Sequence, residues 1–226
     1  MYNFLSGLLL LVIACSTQDI NHAVNDMETI ELTPPDKTGD LSIEETLQNR
    51  RSVRDFSEDA LTLDEIGQLA WAAQGITDET HGYKTAPSAG ATYPIELYFI
   101  VTDVEDVSNG VYRYNNRNHT LEQIIDQDQR EPLHRVALGQ DAIIQAPVVL
   151  VITGVLERTE QRYGERALRF MHMESGHVAQ NVYLQSVALT IGTVVIGAFD
   201  DSGVSEVLDL DDGEHPLYIM PLGRPN

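Results

Sequence analysis

A chain of 226 residues, 42% hydrophobic and 22% charged, has enough apolar content for one ordinary domain with an added arm, which excludes a purely solvated tail. Fourteen Lys and Arg against 35 Asp and Glu give a formal net charge of -21, and without a basic surface a nucleic-acid partner is disfavoured. The lone cysteine, Cys15, excludes intrachain disulfides.

The first segment, MYNFLSGLLLLVIACSTQD, carries an apolar run from Leu8 to Ala14. A bilayer span needs about 20 apolar residues, so this run suits the core of a signal peptide instead. Val-Ile-Ala-Cys resembles a bacterial lipoprotein cleavage box, which predicts a signal peptide over residues 1–14 and acylation of Cys15. An ordinary cleaved signal or an apolar helix stays open, because Met-Tyr-Asn-Phe supplies no basic residue. The expected location is exported, periplasmic or on the outer face, with membrane contact only through the lipid. Residues 15–40 read as an acidic linker, since Pro34, Pro35 and Gly39 suit neither helix nor strand. The folded domain is then expected over 41–226.

Ser42 with Glu45, and Thr62 with Glu65, each form a capping-box pattern that predicts a helix start. After the second, Leu63, Ile66, Leu69, Ala70 and Ala73 recur at helical spacing until Gly75 stops the run. Both helices read as amphipathic surface elements. The runs from Ile95, Pro147, Gly192 and Pro216 are β-rich, several apolar enough for central strands. Gly164 to Gly192 contains no proline and predicts one helix of roughly 25 residues, with apolar side chains on nearly every face. Such a helix belongs in a core or against a partner subunit. The predicted class is α+β, with one mixed central sheet flanked by helices.

Candidate chemistry begins with arginine. Arg50, Arg51 and Arg54 cluster beside Ser52; Arg158, Arg162, Arg166 and Arg169 would share a helix face if helix starts that early. Solvated faces are the plain reading, but few cations gathered beside a hydroxyl suit a phosphate, which guanidinium forks recognise. The loop TAPSAGATYPIELY and the segment VIGAFDD place small residues where backbone groups approach a flat ligand, or are simple turns. His172, Glu174 and His177 invite a metal, yet two histidines five apart diverge on a helix, so no metal site is expected. Glu174, His177 and Asn181 share a face, as a buried polar network or a pocket lining. GxSxG, P-loop and GxGxxG patterns are absent.

Taken in order, RRSVRDF, LDEIGQLAWAAQGI, TAPSAGATYPIELYFI, YGERALRF with GHVAQN, VIGAFDD and LYIMPLGRP resemble the FMN-dependent nitroreductase superfamily. Within it they are most similar to the azoline dehydrogenase branch, which oxidises thiazolines and oxazolines in streptolysin-type peptides. The resemblance covers about Leu41 to Pro225. It implies a homodimer with FMN at the subunit interface and the long helix buried there. By motif, Arg50 and Ser52 would hold the FMN phosphate and ribityl chain, with Arg51 in support. Arg54 would lie near N1 and O2, where reduction places negative charge that a guanidinium stabilises. Pro87, Ser88 and Gly90 match the loop along the pyrimidine side; Gly197, followed by Ala198, matches the backbone donor to N5.

Two departures accompany the match. Ala91 stands where many members carry asparagine, and only three residues follow Gly223, so Arg224 or the Arg166/Arg169 pair would replace the basic closing segment. The implied activity is ping-pong hydride transfer through flavin N5. The implied substrate is a nitroaromatic, a quinone or a small heterocycle, with NAD(P)H a possible donor and Tyr163, His177 or water the proton carrier. The other class of reading is a lipid-anchored flavin-binding or scaffold module with little turnover.

Overall fold

The computed structural model describes residues 27–226. The expected signal peptide, Cys15 and the first part of the expected linker lie outside the described residues.

Seven strands form one sheet in the order β1-β6-β5-β4-β7-β9-β8. They are β1 (Thr29–Glu31), β4 (Ile95–Val101), β5 (Gly110–Asn115), β6 (Thr120–Ile125), β7 (Val148–Val155), β8 (Gly192–Thr193) and β9 (Glu214–Gly223). The small hairpin β2 (Ile76–Asp78) and β3 (Tyr83–Lys84) stands apart. The helices are α1 (Ile43–Asn49), α2 (Leu63–Gln74), α3 (Arg130–Val136), α4 (Ala142–Gln145), α5 (Leu156–Tyr163), α6 (Ala167–Ala188) and α7 (Asp201–Leu208).

The centre of the sheet explains the unbroken apolar runs. Along β7, Val148, Leu150 and Ile152 enter the core shared with α2 and α6, while Val149 and Val151 enter the opposite core beneath α3, α4 and α7. Successive strand side chains point to opposite faces, and here both faces are covered, so neither set of positions is polar. The named ladders are antiparallel, including β4 on β7 from Ile95–Gly154 to Val101–Val148. Parallel pairing is confined to isolated bridges, Ser52–Thr193 and Leu61–Val104.

Both capping boxes form, with Ser42 Oγ accepting from Glu45 N–H and Thr62 Oγ1 from Glu65 N–H. α2 is more than a surface helix: Ile66, Leu69, Ala70 and Ala73 are fully buried. α1 behaves oppositely, leaving Ile43 and Leu47 55% and 54% exposed.

Two expectations need correction. Residues 29–40 are no free linker: β1 pairs with β6, Leu32 is buried, and Asp36 and Gln68 bond reciprocally at 2.9 Å. The folded unit has therefore begun by Thr29, as a three-residue edge strand and a proline-containing strap too short for periodicity to register. The arginine-rich helix is two helices, because Gly164 takes φ +52° and a short tight turn precedes α6. Arg158 and Arg162 consequently sit on α5, and Arg166 and Arg169 follow the break, so the four do not share one face. The core of one protomer does not cover α6 all round, since Leu168 and Met173 are nearly half exposed, which leaves those positions open to a partner subunit.

Candidate functional site

Two constellations form around α6. The first joins the arginine strip to the segment after β8. Ser52 bridges Thr193, and Val53 N–H donates to Thr193 O at 2.9 Å, so the strip lies along β8. The Tyr183 hydroxyl on α6 lies 3.2 Å from Ser52 Oγ and accepts from Val195 N–H at 2.8 Å. Arg50 stacks its guanidinium over the Tyr183 ring, 5.0 Å from the centroid. Two residues past Val195, exposed Gly197 follows the bridge of Ile196 to Ile219, and its N–H has no acceptor among the described residues. Ala198, also exposed, accepts from Gln140 Nε2 at 3.2 Å through its carbonyl.

The cations here are not neutralised internally. Among the described residues, Arg50, Arg51 and Arg54 make no ion pair, although the chain carries 35 acidic residues. Arg51 reaches back to the Gln48 and Arg50 carbonyls at 3.0 and 2.7 Å and closes the end of α1. Arg54 is exposed. Arg224 differs: its guanidinium donates to Leu189 O and Thr190 Oγ1 and pairs with Glu65. It ties β9 to α2 and α6, and so is already committed within the fold.

The second constellation is the loop before β4. Gly90 takes φ +59°, where a side chain is strained, and a Cβ there would meet the Tyr163 hydroxyl at 2.7 Å and Arg162 Nε at 2.8 Å and displace them, so glycine is favoured. Arg162 donates to Gly90 O at 3.0 Å, and Tyr163 packs edge-on to Phe170 with ring centroids 4.8 Å apart. Ser88 Oγ accepts from Tyr93 N–H at 2.9 Å, while Pro87 and Ala91 are exposed. Behind the loop lies Glu174, 2% exposed, its Oε1 without a hydrogen-bond partner. Burial pushes its pKa up to about 7, against the opposing pull of Ser88, Lys84 and Gln74.

The expected Glu174–His177–Asn181 face divides. Glu174 points inward and His177 outward to solvent, so the two form no network in one protomer. Nor do the constellations meet there: Tyr183 and Glu174 are nine residues apart on α6, about 14 Å along its axis. The sequence does not single out Tyr183, because its hydroxyl is one polar group among several on α6.

A nitroreductase family model matches residues 47–224. The chain belongs to the nitroreductase family. Members of that family are in general flavin-dependent oxidoreductases. A protein of Methanocaldococcus jannaschii named as a nitroreductase is 46% identical over 87% of this chain and 98% of its own length. The trifolitoxin-processing protein TfxB of Rhizobium leguminosarum is 32% identical over 67% of this chain. The chain spans only 44% of that protein's length. A crystal structure of a Ralstonia eutropha protein, described as a nitroreductase, superposes with TM-score 0.78 and 29% identity over 88% of this chain and 90% of that one. The superposition assigns the sheet and its flanking helices to the nitroreductase fold. Peptide-toxin processing proteins stand among the relatives, in keeping with the azoline dehydrogenase resemblance.

Proposed function

We propose that this nitroreductase-family chain is an FMN-dependent oxidoreductase working as a homodimer. The observation that carries the reading is three arginines without acidic partners among the described residues, beside a Ser52 that Tyr183 links to the segment leading to the exposed Gly197. These donors fit a group with a phosphate tail and an electron-accepting edge. Bound FMN supplies hydride acceptance and donation at its N5 atom.

In this reading Arg50 and Ser52 bind the phosphate and ribityl chain, and Arg51 stiffens the strip from the end of α1. Arg54 holds the electron-rich edge of the ring. The Gly197 N–H orients N5, and the absent side chain leaves that face open. The loop of Pro87, Ser88 and Gly90 covers the pyrimidine side from the other protomer, because within one chain it lies too far along α6. Exposed Ile43, Leu47, Leu168 and Met173 support such pairing. Tyr163, whose hydroxyl abuts Gly90, is the proton carrier the geometry favours, ahead of solvent-facing His177.

Turnover is ping-pong, with NAD(P)H as donor and a nitroaromatic, a quinone or a small heterocycle as second substrate. Anaerobic titration of the FMN-loaded protein with NADH and NADPH tests this. Bleaching of the flavin absorbance, restored by a nitroaromatic or quinone, is the expected result. Bleaching only by dithionite identifies a flavin-binding module without turnover, and failure to bind FMN overturns the reading. The membrane anchor belongs to the same proposal: fatty-acid labelling should mark the wild-type chain and not Cys15→Ser.

A further inference from the structure

A second group of cations surrounds a different cavity, of about 580 Å³, at the far end of the Ser88–Tyr93 loop. Lys84, Arg113, Arg117 and Arg158 line it, four of the fourteen cations in a chain of net charge -21. The one acidic residue lining it is Glu96, which pairs with Arg158 at 2.5 Å. Arg113 reaches Glu122 at 3.5 Å, while Lys84 and Arg117 have no ion-pair partner among the described residues.

Lys84 is the least comfortable of the four. Its ammonium lies 4.8 Å from the Tyr93 ring centroid, a weaker partner than a carboxylate. Burial lowers its pKa below the ordinary lysine value, Arg158 and Arg117 lower it further, and Glu96 and Glu174 oppose them. Two cations without an ion pair among the described residues thus face one cavity, and a ligand of charge -2 would complement them. Guanidinium forks beside an ammonium recognise oxyanions by bidentate and point-charge contacts together. None of these residues belongs to the Arg50–Ser52–Tyr183 constellation.

We propose that this cavity binds a compact, doubly charged oxyanion, a phosphoryl group or a dicarboxylate, at a site separate from the one proposed for the flavin phosphate. The site adjoins the loop of the proposed flavin site, since Arg158 donates to Tyr93 O at 3.2 Å and Tyr93 N–H donates to Ser88 Oγ. An anion that draws Arg158 towards the cavity therefore acts on the loop that carries Ser88.

Calorimetric titration of FMN-saturated protein with inorganic phosphate and with malonate, at ionic strength matched with sodium chloride, tests the proposal. Saturable binding of either is expected, and the tighter of the two identifies phosphoryl or dicarboxylate. Arg117→Gln, at an exposed position, and Lys84→Met should each weaken it about tenfold, the scale of one charge-assisted hydrogen bond. Should Lys84→Met fail to fold, Arg117→Gln alone decides. The same titration of flavin-free Arg50→Ala protein separates this site from the flavin reading, because binding should persist there whether or not FMN ever binds. Heats no larger than those of sodium chloride, or affinities unchanged in Arg117→Gln, overturn the proposal.

Discussion

Two segments flank strand β8, and they use arginine in opposite ways. Ser52 bridges Thr193 on one side, and Gly223 and Leu222 of β9 pair with Gly192 and Thr193 on the other. On the β9 side, Arg224 donates to Leu189 O at 2.8 Å and pairs with Glu65, both side chains being mostly buried at 26% and 16% exposure. On the Ser52 side, Arg50 and Arg54 have no acidic partner among the described residues. The contrast separates a cation that holds the protein together from cations available to a ligand. Residue type alone does not distinguish them; the partners do.

The contrast is broken most directly at Arg50. Arg50→Ala should raise the dissociation constant for FMN about a hundredfold, close to 2.7 kcal/mol, as two charge-assisted hydrogen bonds to phosphate are lost. The melting temperature of the flavin-free protein should barely move, since the side chain gives up only its stacking on Tyr183. Fluorescence titration and calorimetry measure the two quantities. Equal effects on both would place Arg50 with Arg224 as a structural tie.

Arg224→Ala should do the reverse. It leaves the Glu65 carboxylate partly buried and without its cation, and removes a donor from the end of α6. A loss of about 2 kcal/mol in urea unfolding is expected, with FMN affinity changed by less than about threefold.

A similar division runs along α6, between inward Glu174 and outward His177. The Glu174 carboxyl has an ordinary value of 4.5 when unfolded and about 7 when folded. Between those values the folded state holds a proton that the unfolded state has released, so stability declines as pH rises through the window. The full cost is present above pH 7. Glu174→Gln should therefore flatten the stability profile and stabilise the protein at pH 8, while leaving it nearly unchanged at pH 4. A variant profile still falling between pH 5 and 7 would assign the titration to another group.

Legibility in the sequence followed the range of the interaction. Ser42–Glu45 and Thr62–Glu65 are local pairs, so both helix starts could be read directly, and the both-sided burial of β4 and β7 leaves uninterrupted apolar runs. The hairpin β5–β6 was missed because NNRNHT closes it without glycine, using His119 at φ +54° instead. The strap before α1 was missed because its order comes from Gln68 and His119, remote in sequence. In the candidate site, the residue types of the RRS strip and Gly197 were visible. What aligns them, a tyrosine 131 residues beyond Ser52, was not.

That tyrosine carries the smallest predicted effect. The Tyr183 hydroxyl accepts from Val195 N–H at 2.8 Å and shares a second hydrogen bond with Ser52 Oγ at 3.2 Å, in which either hydroxyl can donate. When the tyrosine is the donor, Ser52 is free to direct its own proton outward, towards an anion lying against the strip. Tyr183→Phe keeps the ring under Arg50 and removes the bonds to Val195 and Ser52, so a loss of about 1 kcal/mol in stability and a three- to fivefold weaker hold on FMN are expected. Tyr183→Leu also removes the aromatic face and should weaken FMN further, by an amount that measures the stacking of Arg50. If Tyr183→Phe lowers stability but binds FMN as wild type does, the hydroxyl serves only to fasten α6 to the segment after β8, and Ser52 orients without it.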